Sequence, residues 1–281
     1  MFYLFYILIQ MKLLLNNKEL FKSIRPFNDI GFVPTMGGIH DGHLSLINRS
    51  KKICNKTIVS IFVNPKQFNN KNDLKSYPSN FKKDLSILKK TKKVDFVYLP
   101  KFKDIYKDTK KSKISLDKKD KILCAKYRKG HFEGVLDVMN KLTTLVNPSK
   151  IFMGKKDLQQ LYLVKNYLAK RFKTKIIGCK TIRNSKGIAL SSRIYLLNEF
   201  ELNKVGQLVK MIKKIKKNLW HKKNINKFLD IKKKEIQKKL MIKIEYFELR
   251  NVKNFYLSNN LKNSKIFIAY YVNKVRLIDN F

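Results

Sequence analysis

Histidine is scarce in this chain, with four in 281 residues against 63 lysines and arginines. Cysteine is scarcer still. Cys54, Cys124 and Cys179 lie far apart, with no CxxC pair and no histidine at metal-ligand spacing, which excludes a disulfide framework and a zinc finger and points to a reduced, cytosolic setting. No internal repeat and no long disordered linker is seen. No apolar run is long enough to span a bilayer: the opening "MFYLFYILIQ" is only about ten residues, against the ~20 a spanning helix needs. It also lacks the leading basic residues and small-residue cleavage site of a secretory signal. Residues 1–10 are either an N-terminal extension ahead of Met11 or a hydrophobic first element, and no membrane partner is expected.

Acidic residues are also few, 20 in all, which leaves a net charge of +43. Such a balance attracts polyanions, so nucleic-acid binding is the rival class to an enzyme. The kind of base argues against it. Only 8 of the basic residues are arginine, whereas specific readers of phosphate and guanine lean on the arginine fork. Lysine, asparagine and isoleucine in excess fit drift towards AT-rich codons on a solvated surface, and no nucleic-acid partner is expected. The apolar fraction of 44% is ample for a buried core.

Apolar runs alternate with helical patterns through the first two-thirds. "GFVPT", "TIVSIFV", "VDFVYLP", "KIFMG" and "TKIIGCKTI" read as strands apolar on both faces. Between them, Leu46, Ile47, Ser50, Ile53 and Cys54 share one helical face, as do Phe81, Leu85 and Leu88, and again Leu158, Leu161, Val164 and Leu168. Strand and helix in alternation predict βαβ units and a Rossmann-like, doubly wound parallel sheet over residues 1–182. From Asn184 a loop, "RNSKGIALSSR", precedes lysine-rich helices between about 199 and 239 and then the strands "KIEYFELR", "KIFIAYYV" and "VRLIDN", which predicts a smaller C-terminal α+β domain over 183–281.

Two of the four histidines, His40 and His43, sit in "PTMGGIHDGH" between a strand and a helix. Ligands bind at the carboxyl ends of parallel strands, helix N-termini offer free N–H groups to phosphate, and Gly37 and Gly38 let a ligand approach the backbone. At i and i+3 the two rings can project the same way. Alone, HxGH is more simply a glycine turn with two surface histidines; its place at a strand end that opens a helix weakens that reading. Later, Leu190, Ser191, Ser192 and Arg193 in "ALSSR" supply two hydroxyls and a permanent cation suited to a polyphosphate.

The pair of loops, in this order, resembles the HIGH and KMSKS signatures of the nucleotidylyltransferase superfamily. "FVPTMGGIHDGHLSLI", "VSIFVNPKQF", "DLKSYP", "GHFEGV", "FMGKKDLQQL", "ALSSR" and, more faintly, "RLIDN" resemble the pantothenate synthetase (pantoate–β-alanine ligase) family in order and spacing. The resemblance implies ATP and Mg2+ as co-substrate and cofactor, pantoate and β-alanine as substrates, and a homodimer. It implies that Thr35, Met36, Gly37, Gly38, Ile39, His40, Asp41, Gly42 and His43 wrap ATP, with His43 the proton donor. Gly154, Lys155, Lys156 and Asp157 match a nucleotide segment, Ile182 would touch adenine, and Leu190 to Arg193 would close over the phosphates. Gln67 and Gln160 match pantoate contacts, with Asn64 nearby and Arg128 beside the site; Asp84 matches an acid associated with Mg2+. His40, His43, Lys156 and Arg193 are the expected catalytic groups, acting as cations. Asn64 and Gln67 could instead cap the end of "SIFV", and Asp84 could only pair with nearby lysines. The chain departs from the family pattern at Lys155, Ser79, Lys129 and Ile194, and substrate affinity is where those departures would tell.

Overall fold

The computed structural model describes residues 11–106 and 114–281; residues 1–10, read above as an extension or a first hydrophobic element, lie outside them. The strands are β1 Lys12–Leu14, β2 Ile30–Thr35, β3 Lys56–Ile61, β4 Phe96–Tyr98, β5 Lys150–Gly154, β6 Lys175–Cys179, β7 Lys243–Asn251, β8 Ser264–Val272 and β9 Val275–Asn280. The helices are α1 Asn17–Ile24, α2 Asp41–Ile53, α3 Lys71–Lys75, α4 Phe81–Thr91, α5 Phe102–Ile105, α6 Cys124–Tyr127, α7 His131–Val146, α8 Leu158–Leu168, α9 Glu199–Lys217 and α10 Ile225–Leu240.

The first six strands form one parallel sheet in the order β1-β4-β3-β2-β5-β6, the Rossmann-like architecture that the alternating pattern predicts. After β2 the chain builds outward through β3 and β4, then returns to lay β5 on the other side of β2. That reversal opens a crevice at the carboxyl ends of β2 and β5. One sheet face packs with α1, α7 and α8 around Phe32, Ile58, Ile151 and Leu168, and the other with α2 and α4 around Val33, Val59, Ile47 and Leu88. Burial on both sides is why these strands lack a polar alternation.

Two helical expectations change in detail. On α4 the inward face carries Asp84 and Leu88, four residues apart, while Phe81 is 46% exposed. Helix α7 is not among the expected helices, although Phe132, Val135, Leu136, Met139, Leu142 and Val146 recur at helical spacing and are buried.

The C-terminal part is a separate antiparallel sheet, β7-β8-β9, whose Ile244, Phe247, Ile266 and Ile268 share a core with Val205, Leu208 and Ile212 of α9 and Leu229 and Ile236 of α10. Among the described residues no helix is long and apolar enough to cross a membrane.

Candidate active site

The turn after β2 is held by an acid. Asp84, 2% exposed, accepts the Gly38 N–H at 2.9 Å on one carboxylate oxygen and the Ile39 N–H at 2.8 Å on the other. Gly38 is in the left-handed region at φ +62°, and a Cβ there would lie 2.7 Å from the Pro78 carbonyl and 2.8 Å from the Ser192 side chain. No other residue fits that position. Each Asp84 oxygen accepts one backbone N–H, so the carboxylate read above as an acid associated with Mg2+ orders the glycine turn.

Beyond the turn, α2 begins with His40 as its N-cap, and its Nδ1 accepts the Gly42 N–H at 3.0 Å. That bond leaves the ring proton on Nε2, so His40 offers a donor rather than an acceptor to whatever lies in front of the helix. One turn on, the ring of His43 lies against it, with centroids 4.1 Å apart. Its Nδ1 is buried with no partner in the protein. Burial, and then the charge of Lys156, lowers His40 to about 4; burial, then His40 and Lys156, lowers His43 to about 3. Both rings are therefore neutral at pH 7 in the free protein.

These rings line a cavity of about 290 Å³ at the switch of the sheet. From β2 and the start of α2 come Thr35, Met36, His40, Gly42 and His43; from the ends of β5 and β6 come Gly154, Lys156, Asp157, Lys180, Thr181 and Ile182; from the loop beyond come Leu190, Ser191, Ser192 and Arg193. Gln67, Arg128, Gln160 and the apolar α7 residues Val135, Val138, Met139 and Leu142 also line the cavity. So four separated motifs meet in one place, including all four of the expected catalytic groups.

Not every expected residue reaches it. Gly37 and Gly38 turn towards Asp84, Ile39 is buried in the α2 core, and Asp41 is exposed at the start of α2. Lys155 is exposed outside the cavity, its side chain passing Gly178, so its charge does not enter the cavity wall. The other departures also lie away from it: Ser79 and Lys129 are exposed, and Ile194 is buried in the C-terminal core. Asn64 is 1% exposed and does not line the cavity. Its amide donates to the Gly134 carbonyl at 3.1 Å and to Gln67 Oε1 at 3.3 Å, and its oxygen accepts from Tyr106 at 3.0 Å, so Asn64 is the cap of the turn that presents Gln67. The helix can pass so close because a Cβ on Gly134 would lie 2.4 Å from the Lys66 carbonyl.

The glutamine pair divides its labour. Gln159 is buried and braces the chain before α6, accepting the Cys124 N–H at 3.1 Å and donating to the Ile122 carbonyl at 2.8 Å, while Gln160 faces the cavity. Across the cavity, His131 Nδ1 meets the Gln67 carbonyl at 2.7 Å, and its Nε2 meets an Arg128 nitrogen at 3.0 Å. A carbonyl only accepts and a guanidinium only donates, so the tautomer is fixed. Burial, then Arg128, lowers this histidine to about 3. Arg193 forms a two-pronged pair with Asp73, and Ser192 donates to the Gly38 carbonyl at 3.2 Å, which brings the serine loop onto the glycine turn. Ser191 Oγ, buried in the cavity wall, has no partner in the protein.

Sequence reasoning missed Tyr77, Lys180, Thr181 and Arg276, all of which line the cavity. Tyr77 and Arg276 stand inside the strings "DLKSYP" and "RLIDN" but carry no signal of their own among 13 tyrosines and many cations.

Comparison with known proteins agrees with the motifs. The family model for pantoate-beta-alanine ligase matches residues 11–281. The chain belongs to the pantoate-beta-alanine ligase family. It is a ligase by that membership. Pantothenate synthetase of Flavobacterium psychrophilum is 38% identical over 266 residues, 92% of this chain and 94% of the relative, and that of Clostridium botulinum is 39% identical over 255 residues, 90% of each. The pantoate-beta-alanine ligase of Francisella tularensis, solved in complex with beta-gamma ATP and beta-alanine, is 36% identical with a TM-score of 0.81, covering 96% of this chain and 97% of that one. The pantothenate synthetase of Thermus thermophilus is 26% identical with a TM-score of 0.89, covering 96% of this chain and 99% of that one.

Proposed function

We propose that the protein condenses (R)-pantoate with β-alanine to pantothenate in this cavity, splitting ATP into AMP and pyrophosphate by way of a pantoyl adenylate. The observation that carries the reading is the convergence of two neutral histidine rings, Lys156 and the Ser191–Arg193 loop on one side of the cavity with Gln67 and Gln160 on the other. The first set suits a polyphosphate; the second suits a hydroxy acid.

A carboxylate is a poor acyl donor at neutral pH, so pantoate attacks the α-phosphate and its oxygen becomes part of a good leaving group. The β-alanine amine then displaces AMP. No enzyme nucleophile is needed, and catalysis rests on positioning and on charge placed where charge develops. His40 Nε2–H is pre-aimed by its bond to Gly42, and the unpartnered Nδ1 of His43 and Oγ of Ser191 are polar atoms that a bound ligand would satisfy. An arriving phosphate raises the histidine pKa values, so His43 is neutral before nucleotide binds and can take up a proton once the negative charge arrives. Lys156 and Arg193 supply the permanent charge. Magnesium, in this reading, comes with the nucleotide's own phosphates, because Asp84 is committed to the glycine turn. The C-terminal unit, taken from residue 183, acts as the lid that brings the serine loop over the phosphates, and the protein works as a cytosolic homodimer.

A cytidylyltransferase-like enzyme with another acceptor is the nearest rival, and Gln67 and Gln160 in the same cavity speak against it. The test is the fate of a pantoate carboxylate oxygen, which the proposal sends into AMP.

A further inference from the structure

The end of β9 grips both phosphate-side loops from behind. Asn280, 2% exposed, is absent from the cavity wall, yet its amide nitrogen donates to the carbonyls of Lys155 and Lys156, both at 2.9 Å. Its amide oxygen accepts from Lys265 Nζ at 2.7 Å. An ammonium only donates, so the amide cannot flip, and its two N–H groups must face the two carbonyls. The turn so held is the one that carries Lys156 into the cavity wall.

The neighbouring residue does the same for the other loop. Asp279, 5% exposed, takes the Arg183 guanidinium on both oxygens at 2.6 and 2.8 Å, and Arg183 also donates to the Asn280 carbonyl at 3.1 Å and the Gly187 carbonyl at 3.0 Å. Arg183 pairs with Ala189 across a short bridge, and Leu190 to Arg193 follow directly. One dipeptide of the C-terminal sheet therefore fixes Lys156 and the serine loop relative to each other, while neither of its side chains makes a hydrogen bond to Gln67 or Gln160.

We propose that Asn280 is a positioning residue for the nucleotide: it sets Lys156 against the phosphates through two backbone carbonyls, in register with the loop that Asp279 holds. The inference rests on the reading that nucleotide phosphates occupy this side of the cavity. It adds a selectivity that a merely structural asparagine would lack, since a misplaced Lys156 weakens ATP without touching the acid or amine side.

Asn280→Asp is the sharpest test. It keeps the size and gives Lys265 a carboxylate to pair with, but turns two donors into an acceptor facing two carbonyls. The expected result is a rise of about tenfold in KM for ATP, with KM for pantoate and β-alanine within about twofold, in a variant whose thermal midpoint falls but which stays folded at the assay temperature. Unchanged KM for ATP in the folded variant overturns the inference, and so does a parallel rise in all three constants. Should Asn280→Asp not fold, Asn280→Ser, which retains one donor, is read the same way. The native protein in the same assay separates the two levels: no ATP-dependent joining of pantoate and β-alanine sinks the proposed function itself, whereas normal native turnover with ATP use untouched by the substitution sinks only the role of Asn280.

Discussion

Arg193 closes on Asp73 through two guanidinium nitrogens, at 2.5 and 2.8 Å. Asp73 sits in α3, in the "DLKSYP" string, and Arg193 in the serine loop 120 residues later, so the pair ties two motifs together across the mouth of the cavity. Burial pushes the Asp73 carboxyl up, but the Arg193 hydrogen bond and charge outweigh it and hold the group below the ordinary range.

The pair is about a quarter exposed, and partly exposed ion pairs contribute about 1 kcal/mol or less. Asp73→Ala should accordingly lower kcat/KM for ATP by about two- to fivefold by letting Arg193 wander, whereas Arg193→Ala, which removes the cation itself, should cost about a hundredfold. Steady-state kinetics checks both. If Asp73→Ala uses ATP better than the native protein, the pair restrains the arginine rather than aiming it.

Asp84 offers a prediction opposite to the one its sequence position invites. Asp84→Asn leaves a buried N–H of the glycine turn facing an amide that cannot accept it, at a cost of about 1–3 kcal/mol. The expected outcome is lower stability in denaturant and a raised KM for ATP, with the magnesium concentration for half-maximal activity unchanged. A shift of about tenfold or more in that concentration would return the metal role to Asp84.

The histidines make the protein acid-sensitive in a defined window. Burial holds His40, His43 and His131 at about 4, 3 and 3 in the folded protein, against an ordinary 6.5, so over that interval the unfolded chain binds more protons. Stability then rises with pH across the window and is lost as pH falls from about 6.5 towards 4, before ordinary carboxylates take up protons. Denaturant midpoints measured from pH 7 to pH 4 should fall steadily, and His131→Asn should flatten the slope. A midpoint constant over that range would mean that the rings titrate in the fold as they do in the unfolded chain.

How much of this could be read from the chain depends on how local the signal is. The strands were legible because β2, β3 and β5 are apolar throughout, and His40 and His43 were legible because their spacing and the strand before them are local facts. Helix α7 goes unread although its apolar residues keep helical spacing, because it opens inside the "GHFEGV" string, which reads as a motif rather than as an element. Asp84 and Asn64 were read as ligand contacts because a motif gives residue type and position but not direction. Their partners are 46 and 70 residues away, at Gly38 and Gly134, and only the folded chain shows that both side chains hold backbone in place. Lys155 was misplaced for a similar reason: neighbours in sequence on a tight turn point opposite ways, so Lys156 enters the cavity wall and Lys155 does not.

The central claim is that pantoate is activated by attack on the α-phosphate of ATP. It is tested most directly by supplying pantoate with heavy oxygen in its carboxylate, together with ATP and β-alanine, and weighing the products. The account predicts one labelled oxygen in AMP, none in pyrophosphate, and AMP release that needs pantoate. Label appearing in inorganic phosphate alongside ADP, or AMP released with pantoate absent, would contradict it.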